Sequence, residues 1–262
     1  MGAGSIVVGP AFAVVLAVLV VAAALTARFA QLALPRPIVT ASARAVVQLA
    51  AVSLVITWVL TAWGLTAAFI VLMVGVAGAT SARRIGRHRS ANWAVLAVAA
   101  AAGPVCALVV AAGTVPAKPI AVVPVAGILI GGAMTATSLA GRAAMDDLTN
   151  RRGEYEALLA LGFLEPDAVR ELCRPSVARA LHPALDQTRT VGLVTLPGAF
   201  VGVLLGGGTA VAAGATQLLV LVALLAVEVV AVAVTVELVA AGLLYRPAPG
   251  AGAAHRTGAG LR

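Results

Sequence analysis

Charged side chains make up only 11% of the 262 residues, and aromatic side chains 4%. A soluble domain carries roughly a quarter of its residues as Asp, Glu, Lys and Arg, so this chain lacks the charge that would clothe a water-facing surface. Lysine is nearly absent, and the one copy, Lys118, lies between Pro116 and Pro119. A phosphate-cradling loop of the G-x-x-x-x-G-K-[ST] type needs a lysine, which excludes that nucleotide site here. The two cysteines offer no disulfide framework, because Cys106 falls in an apolar run and Cys173 in a polar stretch. The histidines, His88, His182 and His255, lie outside the apolar runs. No His, Asp or Cys cluster with ligand spacing falls within those runs, so no metal site is assigned, and no Ser/His/Asp set suggests catalysis.

What remains is apolar, with 61% hydrophobic residues and a mean hydropathy of +1.06. A spanning helix needs roughly 20 mostly apolar residues to cross a hydrocarbon core about 30 Å thick. Seven runs meet that description: residues 5–25, 38–60, 63–81, 93–113, 120–140, 191–206 and 217–244. The first has no basic segment before it and no small-residue cleavage site after it, so it reads as a retained helix. The prediction is an all-α, polytopic transmembrane helix bundle of about seven spans. Residues 1–246 are taken as one membrane domain. The Gly-, Ala- and Pro-rich tail 247–262 reads as disordered.

Basic residues collect in short cytoplasmic loops. Here they follow the first run (Arg28, Arg36), the third (Arg83, Arg84, Arg87, Arg89), the fifth (Arg142 to Arg189) and the seventh (Arg246, Arg256, Arg262). The intervening connections hold Lys118 alone. This alternation puts the N-terminus outside and the C-terminus in the cytoplasm of a cell-membrane protein. The net charge of +8 then reflects arginines facing an anionic inner leaflet and calls for no nucleic acid. Trp58 and Trp63 near the outer surface, and Trp93 near the inner one, fit interfacial belts.

Residues 142–190, the long cytoplasmic connection, hold eight of the ten acidic residues. Residues 146–161 read as an amphipathic helix closed by Gly162, and Glu165-Pro166-Asp167 opens a second. Pro175 and Pro183 are expected to bend or break the helix beyond them. Within this segment Glu154-Tyr155-Glu156-Ala157-Leu158-Leu159-Ala160-Leu161-Gly162 resembles the E-A-A-x-x-x-G coupling helix of ATP-binding-cassette (ABC) permeases, with Glu156, Ala157 and Gly162 in place. Taken singly, the stretch reads equally well as a solvated surface helix.

Beyond it, Asp186-Gln187-Thr188-Arg189-Thr190-Val191-Gly192, continuing to Leu196-Pro197-Gly198-Ala199-Phe200 and then to Gly202 and Gly206-Gly207, looks like the signature of the FetB-type iron-export ABC permeases. Met134-Thr135 with Ser138-Leu139, the Arg44 to Gln48-Leu49 patch and Gln217-Leu218-Leu219-Val220 agree with the same family. The resemblance covers nearly the whole chain, with one departure: Gly131-Gly132 stands where Gly-Asn is expected. It implies a permease subunit, not an enzyme, that exports iron or another metal ion as a homodimer. Two separate cytoplasmic ATPase subunits would bind ATP and Mg and drive the helices through Glu154, Glu156, Ala157 and Gly162.

Polar groups at membrane depth mark a pathway or a packed interior. Glu228 is the deepest. Glu237 and Arg44 lie nearer the cytoplasm, where depth alone allows an ion pair between them. With Gln48, Met134, Thr135 and Ser138 they form the candidate translocation set. The small residues and hydroxyls of span five, Thr137 included, serve close helix packing or a vestibule. Pro197-Gly198, early in span six, predicts a kink or hinge. Two alternatives stay open: the permease of an ABC importer for a small solute, for which the outer loops are short, and a secondary transporter, for which no inverted repeat is visible.

Overall fold

The computed structural model describes residues 9–86 and 92–244. Expectations resting on Arg87, His88 and Arg89, on the first residues of span one, and on the tail with Arg246, His255, Arg256 and Arg262 lie outside them. The described residues are mostly helical: α1 (Pro10–Phe29), α2 (Pro35–Val59), α3 (Trp63–Ile85), α4 (Ala94–Ala111), α5 (Pro119–Asn150), α6 (Arg152–Ala160), α7 (Glu165–Ala178), α8 (His182–Thr190), α9 (Gly198–Leu205) and α10 (Ala210–Ala240), with a 3-10 turn, Arg179–Leu181, before α8. Proline stands in the first turn of α1, α2, α5, α7 and α8. Its missing N–H costs nothing there, and its fixed φ favours the helix start. Among the described residues, six helices, α1 to α5 and α10, are long and apolar enough to cross a membrane. The protein is thus a polytopic helical membrane protein.

The chain divides into two compact units, residues 1–65 and 66–262. In the first, α1 packs on α2, and most of their side chains are exposed. The second is built around α4, α5, α7 and α10, which pack on one another. Its core is made largely of alanine, including Ala94, Ala97, Ala101, Ala133, Ala136, Ala140 and Ala231. Lipid tails are as apolar as leucine, so helices in a membrane gain by close backbone approach across small residues. A Cβ on Gly78 of α3 would fall 2.5 Å from the Val95 Cα, and one on Gly141 of α5 2.5 Å from the Ile85 Cδ1. Hydroxyls finish the α3–α5 contact: Ser138 donates to the Ser81 Oγ (3.1 Å) and Ser81 to the Met134 carbonyl (3.0 Å).

The run 191–206 is not a spanning helix. Only the eight residues of α9 are helical, about 12 Å of rise. Gly192 sits at φ +83, and its N–H donates to the Thr195 carbonyl in a tight turn. Pro197 then lacks the N–H that a continuous helix would need. Pro197 and Gly198 accordingly begin α9 and do not kink a longer helix. Pro175 lies inside α7 without ending it.

This broken segment is nevertheless a return leg, because α5 and α10 run parallel. Gly132 of α5 lies beside Leu224 and Glu228 of α10. Further along both helices, α7 is held by the α5 end through Arg151 and by α10 through Glu237. Two parallel neighbours require the chain to come back between them, and α8, the Gly192 turn and α9 do so, with α8 and α9 packed on α10.

Gly78→Ala should cost about 1–3 kcal/mol, since its Cβ would meet backbone that cannot turn aside. Gly75→Ala, with nothing within 4 Å, should be neutral or gain up to about 1 kcal/mol. Denaturant titration in detergent micelles checks the order.

Candidate functional site

The charged segment begins with a longer α5 than the apolar pattern suggests. That helix continues through Arg142 to Asn150, so the first residues of the expected 146–161 helix belong to it. Arg151 leaves the helical region (φ −109, ψ 31) and α6 starts at Arg152. No residue of α6 is buried, whereas α7 buries Ala168, Val169, Leu172, Cys173, Ser176 and Val177. One arm of the hairpin is therefore anchored and the other is presented. Gly162, at φ +94, turns the chain between them. Its N–H donates to the Leu159 carbonyl (3.0 Å) and the Phe163 N–H to the Leu158 carbonyl (3.1 Å), a glycine-dependent helix ending.

Two arginines fix this hairpin. The Arg151 Nε donates to the Glu154 Oε1 (3.0 Å), its Nη1 donates to the Leu172 carbonyl (3.0 Å), and Asp147 lies 3.8 Å away. Arg170 donates to Asp167 (2.7 Å) and, through Nε and Nη2, to both Glu237 oxygens (3.1 and 2.8 Å). Glu237 thus has Arg170 as its partner, not the Arg44 suggested by depth. Neither arginine stands out in the sequence by itself, although Arg151 has Glu154 at i+3 and Arg170 has Asp167 at i−3, the spacing of ion pairs on a helix.

The hydrogen bond from Arg151 holds the Glu154 carboxyl below the usual carboxylate range. A carboxyl lowered on folding adds stability above its ordinary pKa and loses it on acidification; the clasp is therefore complete at neutral pH. Burial, with the Asp147 charge second, pushes the Cys173 thiol up to about 12.

The other expected arm residues are exposed. Glu156 pairs with Arg152 (3.0 Å), and Ala157 and Gly162 face outward. In the bundle, Glu228 is 8% exposed. Its Oε1 lies 3.1 Å from where a Gly132 Cβ would stand, so the bare glycine makes room for the carboxylate. Ser138 is committed to Ser81 and to the Met134 carbonyl, and Thr135 to the Gly131 carbonyl. Met134 packs half-buried on the core. These bonds favour the packing role of the span-five stripe. In the first unit, Arg44 lines an open surface hollow of about 420 Å³ with Arg36, Pro37, Thr40 and Ala41, and Gln48 is exposed on α2. Pro197 lines a cavity of about 170 Å³ between the turn and α10. There Gln217, a lone amide in an apolar run, accepts from the Phe200 N–H (3.3 Å). Among the described residues, no three His, Cys, Asp or Glu side chains come together as a metal site.

These features define a multi-pass α-helical protein of the plasma membrane with an anchored, charged hairpin at one end of its bundle. The chain belongs to the UPF0014 family: the family model, described as an uncharacterised protein family, matches residues 11–244. Among its relatives, the UPF0014 membrane protein STAR2 of Oryza sativa subsp. japonica is 36% identical over 214 residues, 79% of this chain and 74% of that protein. Protein ALUMINUM SENSITIVE 3 of Arabidopsis thaliana is 34% identical over 151 residues, 57% of this chain and 55% of that protein. The probable iron export permease protein FetB of Escherichia coli (strain K12) is 29% identical over 192 residues, 72% of this chain and 74% of that protein. No solved structure matches the chain.

In a Cys106→Ala background, Cys173 should react with a maleimide at pH 8 roughly 1,000-fold more slowly in the folded protein than after unfolding in SDS, by loss of thiolate alone. Mass spectrometry of the labelled protein over time measures the ratio.

Proposed function

We propose that this chain is the membrane-spanning permease subunit of an ABC transporter, and that the transporter exports iron or another metal ion. The observation that carries the reading is the hairpin: α7 is fastened to α5 and α10, while α6 rests on the core through Tyr155 and Leu158 and turns Glu154, Glu156 and Ala157 outward. A short helix held rigidly at its base and bare at its tip is suited to fit a groove on a partner. Its tip carries Leu161, Phe163 and Leu164, each exposed.

In this reading the hairpin faces the cytoplasm and Glu154, Glu156, Ala157 and Gly162 dock on an ATPase subunit. ATP and Mg are bound by that partner, and two permease copies share the transporter. Binding energy from nucleotide would move α6, and the Arg151 and Arg170 clasps would carry the motion into α5 and α10. Glu228, the carboxylate deepest in α10, stands in the pathway. The remaining members of that set, Arg44, Gln48, Met134, Thr135, Ser138 and Glu237, are placed secondarily, and Pro197-Gly198 forms the joint at the base of α9. The metal assignment draws on the relative named for iron export.

The test is metal-stimulated ATP hydrolysis by the chain reconstituted with its cognate ATPase in liposomes. Ferrous iron should stimulate hydrolysis, and Glu156→Lys should reduce the stimulation at least tenfold while the protein remains folded. No stimulation by any metal, with the variant behaving as the wild type, would reject both the cargo and the docking helix.

A further inference from the structure

The return leg places charge where the apolar pattern gives no hint of it. The cavity below α9 is lined by Val191 and Gly192 on one side and by Gly214, Gln217, Leu218 and Leu221 of α10 on the other. Thr190, the last residue of α8, therefore ends against this stretch of α10. Leu221 is about 24 Å along the helix from Glu237, which marks the charged end, and about 17 Å from Ala210, the first residue of α10. Asp186 and Arg189 precede Val191 by five and two residues, at most about 8 Å of helix rise. Both thus stand about 16 Å or more from Glu237, measured along α10, toward the middle of that apolar helix.

Neither is shielded by the chain itself. Ala184 is the buried residue of α8, and Gln187 is exposed. Asp186 and Arg189 pair at 3.6 Å with side chains 70% and 72% exposed. Charged groups at this depth do not face lipid; they face water or protein. Glu228 lies at a comparable level, about 10 Å along α10 from Leu221.

The geometry points to a water-filled translocation path lined by the outer face of α8, where Asp186 meets a hydrated cation and Arg189 neutralises it when the path is empty. This rests on the permease reading and names its wall. A cation path accounts for acidic groups at one level on α8 and α10. Arg189 is near enough to hold Asp186 and is released from it when a cation takes its place.

Thiol accessibility tests the wall without requiring transport. In a Cys106→Ala, Cys173→Ala background, Gln187→Cys in liposomes should react with a charged methanethiosulfonate within tenfold of Leu161→Cys at the hairpin tip. Leu72→Cys, on an apolar face in the middle of α3, should react at least 100-fold more slowly. Asp186→Asn should lower metal-stimulated ATP hydrolysis at least tenfold, and Asp186→Glu should restore most of it. Labelling of Gln187→Cys no faster than Leu72→Cys would overturn the water-lined face. A disulfide between two copies through Gln187→Cys would make the face a contact between permeases and overturn it equally. Asp186→Asn with unchanged stimulation would remove Asp186 from the path. Absence of metal-stimulated hydrolysis in the wild type would reject the permease reading, while the labelling still decides whether α8 meets water.

Discussion

Close approach of helix backbones is the constraint on which the second unit depends. Inside a bilayer the hydrophobic effect does not favour one apolar helix beside another over the same helix in lipid. Contact must be gained through packing, and small residues allow the most of it. Gly78, Gly132 and Gly141 each remove a Cβ where a neighbouring helix passes, and alanines fill the seams of α4, α5 and α10. The Ser81–Ser138 bond then adds direction to a contact that dispersion alone would leave free to slide.

That packing sets α5 and α10 side by side and parallel, and this arrangement governs the rest of the architecture. Parallel neighbours demand a return between them, and this return is broken in the middle by Gly192 and Pro197. A broken crossing exposes backbone and polar side chains at membrane depth, which membranes tolerate only against protein or water. The same parallel arrangement brings both helix ends to α7, so that Arg151 and Arg170 grip the hairpin from two sides. Each ion pair is exposed and contributes little to stability by itself; its use is directional, tying α6 and α7 to the long helices.

Much of the site was legible as chemistry and not as geometry. Gly162 was readable as a helix end because only glycine sits comfortably at its positive φ. Glu165-Pro166-Asp167 was readable as a helix start because proline and acid suit a first turn. Glu228 stood out as an acid in an apolar run. Glu237 was equally visible, yet its partner was not, since Arg170 is 67 residues away in sequence and pairing at that range depends on how α7 lies across α10. The run 191–206 has the composition of a span, but composition does not register that a turn and a proline occupy its first half.

Sequence by itself determined that this protein lives in a membrane, that it is helical, and where most of its helices begin and which end of the bundle carries charge. These properties are local: apolar run length, proline placement and the scarcity of charge. Tertiary structure alone decided that α5 and α10 are parallel, that the crossing between them is broken, and that α8, with Asp186 and Arg189, packs alongside α10. Those depend on which glycine faces which neighbour, and backbone approach across a lipid-free seam is a property of pairs of helices, not of any one stretch of chain.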